Sequence, residues 1–170
     1  MLQIADSDVR AKSALHTFAH QATGEPPILC RVLSEAVAAG LPFAGSVTPQ
    51  EAWSLVQEGE AVLVDVRSAE ERKFVGHVPE SVHVPWATGL SLTRNPRFVR
   101  ELEVKGGKSR PLLLLCRSGK RSALAAEAAA KAGLTNVFNV SEGFEGDLDE
   151  NQRRGAFNGW RHAGLPWVQD

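Results

Sequence analysis

The chain has 170 residues, with 19 Lys and Arg against 20 Asp and Glu and a formal net charge of -1. That length fits one domain around one core, and the balance lacks the basic excess that draws a protein to nucleic acid or an anionic membrane surface. Two cysteines, Cys30 and Cys116, are too few for a disulfide framework, and no apolar run approaches the roughly 18–20 residues of a membrane span.

The N-terminus, MLQIADSDVR, has no basic stretch leading into an apolar one, so no secretory leader is expected. The expected compartment is the cytoplasm, with both thiols free. No CxxC pair or His/Cys cluster points to a metal, and no cofactor is expected.

Residues 1–44 read as a helical extension. DSDVRAKSALHTFAH predicts one helix, with Val9, Leu15 and Phe18 as its apolar contacts, and GEPP ends it. ILCRVLSEAVAAG predicts a second, closed by Gly40. Its apolar surface from Ile28 to Phe43 must be covered, by its own domain or by its copy in a homodimer. The sequence reading leans to the dimer. Cys30 lies among Ile28, Leu29, Val32 and Leu33 and reads as a packing residue.

The main domain is expected over 45–170. In SVTPQEAWSLVQEG, Thr48 is a helix N-cap, Pro49 the first helical residue and Glu51 the partner in a capping box. AVLVDVR, residues 61–67, is a continuous aliphatic run and predicts a strand buried on both faces. Glu70 to Phe74 predicts a short helical turn, and SVHVP a short strand. From Ala87 to Gly107 the chain turns polar, and Pro96 interrupts it. Leu112 to Leu115 predicts a second buried strand, Ser122 to Ala132 an alanine-rich helix capped by Gly133, and Asn136 to Val140 a third strand. Strand and helix alternate, which implies an α/β fold with a mostly parallel sheet.

Cys116 ends the buried strand at the point where open α/β sheets bind ligands. The polar loop Arg117, Ser118, Gly119, Lys120, Arg121, Ser122 leads from it into a helix. Backbone N–H groups curling round the sulfur, together with the helix's positive end, favour an anion there and a thiolate over a thiol. Gly119 lets the loop bend. The bland alternative is a space-filling buried cysteine. GxxxxGK[ST] and GxGxxG are both absent, which excludes those phosphate loops. His77 and His83 are available as bases for a cysteine hydrolase, and both also read as structural histidines.

Three motifs in order, LVDVR at 63–67, GHVPESVHVP at 76–85 and CRSGKRS at 116–122, resemble the rhodanese-like sulfurtransferases. SEGFEG at 141–146 is similar to that family's late G-G-x-x-x-W segment, and GLPW at 164–167 to its usual end. The resemblance implies a rhodanese-like three-layer sandwich with a central parallel five-stranded sheet flanked by helices. It also implies a persulfide on Cys116. Sulfane sulfur would come from a small donor anion such as thiosulfate and pass to a thiol or cyanide acceptor. Arg117 and Arg121, with Lys120 close by, would bind the donor anion. Asp65, Arg67 and His77 would be supporting residues. One departure stands out, because EGFEGDLDE lacks the tryptophan and the glycine pair.

Two rival functions follow from the same residues. A cysteine phosphatase or arsenate reductase uses a C-x5-R loop, whereas Cys116 to Arg121 is C-x4-R and makes a smaller cradle. A non-catalytic binding module of the same fold often lacks the cysteine that is present here.

Overall fold

The structure is a computed structural model and describes residues 27–170. The helix predicted over 6–20 lies outside the described residues. Ile28–Ala38 forms α1, with Leu29, Val32 and Ala36 buried along one face. Pro49–Gln57 forms α2 with the expected capping box: the Glu51 N–H donates to Thr48 Oγ1 at 3.2 Å, and the Thr48 N–H to Glu51 Oε2 at 2.8 Å. A second box starts α3, Ala69–Val75, between Ser68 and Glu71. The alanine-rich helix, α5, spans Lys120–Lys131, two residues earlier than expected, so Lys120 and Arg121 lie in its first turn.

Five parallel strands form the sheet in the order β1 (Ser46–Val47), β7 (Val137–Val140), β6 (Leu112–Leu115), β2 (Val62–Asp65), β3 (Val82–His83). Side chains alternate across it with period two, and this sorts the core into two layers. Leu63, Leu113, Leu115, Phe138 and Val140 pack with Leu29 and Val32 of α1, Ala52 and Leu55 of α2, and Trp160. Val64, Leu112, Leu114 and Val137 pack with Ala125, Ala126 and Ala129 of α5 and with Phe98 and Leu102. The arrangement is the three-layer α/β sandwich with a five-stranded parallel sheet that the sequence implies.

Three elements escape the sequence reading. β1 is two residues long, too short for a periodicity signal. Between Ala87 and Gly107 lie a β-hairpin, β4 (Ala87–Thr88) with β5 (Thr93–Arg94), and a helix, α4 (Phe98–Gly106). Pro96 does not interrupt structure there. It lies inside a turn in which Asn95 Oδ1 accepts from the Arg97 N–H at 2.9 Å, and this turn leads into α4. Only Phe98 and Leu102 of α4 are buried, one helical turn apart, so its apolar stripe is too narrow to read.

The helix α1 shares its core with the rest of the domain, although the sequence places it in the extension. Arg31 pairs with Glu51 of α2, and Gly45 leaves room for Val32, where a Cβ would meet a methyl carbon at 2.7 Å. Most of the apolar surface from Ile28 to Phe43 is therefore covered within the chain, while Val37 (75% exposed) and Leu41 face solvent. Among the described residues no helix is long and apolar enough to cross a membrane. Replacing Leu29 with alanine should lower the unfolding free energy by about 2–5 kcal/mol in urea titration. Val37→Ala on the same helix should change it by less than about 0.5 kcal/mol. Equal effects would show that α1 is not part of the folding unit.

Candidate active site

Strand β6 ends at Leu115, and Cys116 follows with 1% exposure. Its sulfur accepts a hydrogen bond from the Gly119 N–H at 3.2 Å and lies 3.1 Å from Ser122 Oγ. Gly119, at φ 85, is the N-cap of α5 and gives it no side-chain cap. Among the described residues the N–H groups of Lys120, Arg121 and Ser122 have no protein acceptor. Three of the four unpaired donors at the start of a helix thus remain for a ligand beside the thiol.

The loop is held by close approach on one side. A Cβ at Gly119 would lie 1.9 Å from Ser141 O, and one at Gly143 would lie 2.5 Å from the Arg117 carbonyl carbon and the Ser118 nitrogen. Only glycines let the 116–119 turn and the 141–146 segment touch. Hydrogen bonds seal the contact: the Phe144 N–H donates to Cys116 O at 2.7 Å and the Glu145 N–H to Arg117 O at 2.9 Å.

On the other side Arg121 reaches Glu71. Its Nη1 and Nη2 donate to the two carboxylate oxygens at 2.8 and 2.6 Å. Glu71 also accepts from the Ser68 N–H, so one carboxylate caps α3 and anchors the loop after Cys116. Burial pushes the Glu71 carboxyl up, but the Arg121 hydrogen bonds, the Ser68 N–H and the charges of Arg121 and Arg67 outweigh it and hold it below its usual value. The pair in turn raises Arg121. The Arg121 guanidinium is engaged by Glu71, which ties the start of α5 to α3. Arg117 and Lys120 are the loop's exposed cations.

Asp65 and Arg67 are fully buried. Asp65 accepts from Arg67 Nε at 3.1 Å, Arg67 Nη2 at 2.8 Å and Arg72 Nη1 at 2.9 Å. Arg67 also donates to Gly76 O at 2.8 Å and lies 4.1 Å over the Phe144 ring. The network ties the end of β2 to α3 and to the segment that braces the thiol loop. His83 Nε2 is 2.8 Å from Arg67 O, and burial, with the charges of Arg72 and Lys105 adding to it, pushes its pKa below the usual value. His77 pairs through its backbone with Val168. Neither imidazole hydrogen-bonds the sulfur.

A tryptophan stands outside the 141–146 segment, at Trp160. Residues 147–158 leave and return at one point, where a Cβ on Gly159 would meet the Gly146 nitrogen at 2.5 Å. The Trp160 N–H then donates to Gly143 O at 2.8 Å, and its buried ring stacks edge-on against Trp53. The Gly159–Trp160 step is a signal the sequence motifs did not include. The sequence reading also passed over Glu71 and Asn139. The spacing of Glu71 from the Ser68 cap could have marked the first, and a polar residue inside the apolar strand VFNV the second.

A buried cysteine in a glycine-braced loop, at the mouth of a helix in a parallel α/β sandwich, defines a class of domains with a cysteine at the strand end. The model of the rhodanese-like domain matches residues 48–150, and the chain belongs to that family. A crystal structure from M. tuberculosis is 47% identical with a TM-score of 0.68, covering 75% of this chain and 99% of that one. An uncharacterized protein of Rickettsia prowazekii is 39% identical over 66% of this chain and 87% of its own length. A thiosulfate sulfurtransferase of Actinobacillus succinogenes is 30% identical over 71% of this chain and 86% of its own length.

The lowered carboxyl of Glu71 carries a pH signature. A carboxyl depressed on folding contributes stability that is complete above its unfolded value and is lost as pH falls through the folded one. The stability difference between wild type and Glu71→Gln should therefore be flat near neutral pH and shrink below 4.5, the carboxyl's ordinary value. Glutamine keeps the capping box, so the difference reports the pair with Arg121. A difference that persists unchanged into acid would refute that assignment.

Proposed function

We propose that the chain is a sulfurtransferase that carries a sulfane sulfur as a persulfide on Cys116. The observation that carries this reading is the set of unpaired N–H groups at the start of α5 beside the buried thiol. These donors suit the negative terminal sulfur of a persulfide. The Cys116 thiolate attacks the sulfane sulfur of thiosulfate, a new S–S bond forms, and the old one breaks to release sulfite. A thiophilic acceptor, a thiol or cyanide, then attacks the outer sulfur and returns the thiolate. Arg117 and Lys120 supply positive charge for the donor dianion. The relation to a thiosulfate sulfurtransferase supports this donor class.

Phosphatase chemistry is less well served. Such chemistry uses a C-x5-R loop, and Cys116 to Arg121 is C-x4-R, with Ser122 in the place of the arginine. Arsenate reduction meets the same objection.

Intact-protein mass spectrometry after thiosulfate treatment tests the proposal. Wild type should gain the mass of one sulfur, and Cys116→Ser should not. No gain with any sulfane donor would instead favour a binding module. With cyanide as acceptor, alanine at Arg117 or Lys120 should raise KM for thiosulfate with little change in kcat, the mark of lost uniform binding. Unchanged kinetics in both variants would remove these side chains from donor binding.

A further inference from the structure

A polar chain runs from the Cys116 sulfur to the surface through a layer otherwise filled by aliphatic side chains. Ser122 Oγ lies 3.1 Å from the sulfur and donates to Asn139 Oδ1 at 2.6 Å. Asn139 Nδ2 donates to Ser46 Oγ at 3.1 Å. Ser122 and Asn139 are buried, and Ser46, on the edge strand β1, is exposed. Asn139 sits between Phe138 and Val140 in a strand buried on both faces. An amide there carries a desolvation cost that an aliphatic residue would avoid.

The Ser122 hydroxyl has one hydrogen. Two oxygens 2.6 Å apart need a hydrogen between them, so that hydrogen points to Asn139 and the serine shows the sulfur a lone pair. An S–H satisfies that lone pair, and a sulfur anion does not. When the sulfur becomes anionic, the hydroxyl must turn to it. Ser122 Oγ and Asn139 Oδ1 would then face each other with no hydrogen, unless the amide turns over. Turned over, Nδ2–H donates to Ser122 Oγ, and Oδ1 accepts from the Ser46 hydroxyl. Every member can both donate and accept, so either charge state is met by rotation alone. No proton crosses the amide, and the thiol proton leaves to water.

We propose that Asn139 is a positioning residue that sets the direction of the Ser122 hydroxyl. With Ser46 it forms a reversible hydrogen-bond chain. One polarity matches the Cys116 thiol and the other its thiolate or persulfide. The persulfide half rests on the function proposed above, and the thiolate half on the geometry alone.

The test is the pH profile of Cys116 alkylation by iodoacetamide in the full-length protein, followed on the Cys116 peptide by mass spectrometry. Asn139→Asp presents acceptors only and keeps the serine hydrogen. Its profile should move to higher pH by about one unit, the tenfold that a hydrogen bond to a charged group supplies. Asn139→Leu frees the hydroxyl for the sulfur, so its profile should move to lower pH, and Ser122→Ala added to it should abolish that shift. Arg121, whose field reaches the sulfur, and Glu71, which holds it, are the same in every variant. The carboxylate of Asn139→Asp also raises its profile by charge, so Asn139→Leu decides: an unshifted or raised profile there, or a lowered one that survives Ser122→Ala, overturns the proposal. Should Asn139→Asp fail to fold, an unshifted or raised Asn139→Leu profile does so alone. Alkylation needs no sulfur donor. A protein that takes no sulfur from thiosulfate therefore refutes the sulfurtransferase reading and leaves these shifts to be judged by themselves.

Discussion

The bidentate contact between Arg121 and Glu71 is the interaction on which the rest of the site depends. A loop that surrounds an anion with N–H groups is itself under electrostatic and conformational stress. Its donors converge, its cations repel one another, and Gly119 holds a left-handed backbone conformation. Lys120 and Arg121 also sit at the positive end of a helix, the wrong end for a cation. Glu71 offsets part of that by neutralising one charge within hydrogen-bond distance. The same carboxylate caps α3, so the loop is fixed to a rigid element rather than to another loop.

The opposite wall depends on volume instead of charge. Gly119 and Gly143 let two backbone segments touch where any side chain would intrude, and hydrogen bonds from Phe144 and Glu145 close the seam. Behind that wall the Asp65–Arg67–Arg72 network and the Arg67–Phe144 stack lock its position. Buried arginines of this kind are costly unless fully paired. Here Arg67 is matched by Asp65, the Gly76 carbonyl and an aromatic face, while its buried Nη1 has no hydrogen-bond partner among the described residues. The loop is thereby held in one geometry, with the Gly119 N–H already directed at the Cys116 sulfur.

Much of this was legible in the residues. Aliphatic runs marked β2 and β6, the Thr48 capping box marked α2, and CRSGKRS placed a thiol at a helix mouth. Other features lacked a local signature. β1 is too short for periodicity, and α4 buries only Phe98 and Leu102. The direction of Arg121 was hidden because Glu71 lies fifty residues earlier and only the parallel sheet brings the two together. The loop 147–158 separates Gly146 from Gly159 in sequence, although the two touch in space and Trp160 pairs with Gly143. Long-range pairing of this sort is fixed by topology, which no window of sequence contains.

The account makes Cys116 the floor of a preformed cradle, with Arg121 as part of its frame. A high-resolution crystal structure of the protein treated with thiosulfate would examine that most directly. The account predicts one additional sulfur bonded to Cys116 Sγ, ringed by the N–H groups at the start of α5, with the Arg121–Glu71 pair intact. Arg121 released from Glu71 to grip the donor, or the added sulfur on Cys30 with Cys116 unmodified, would contradict it.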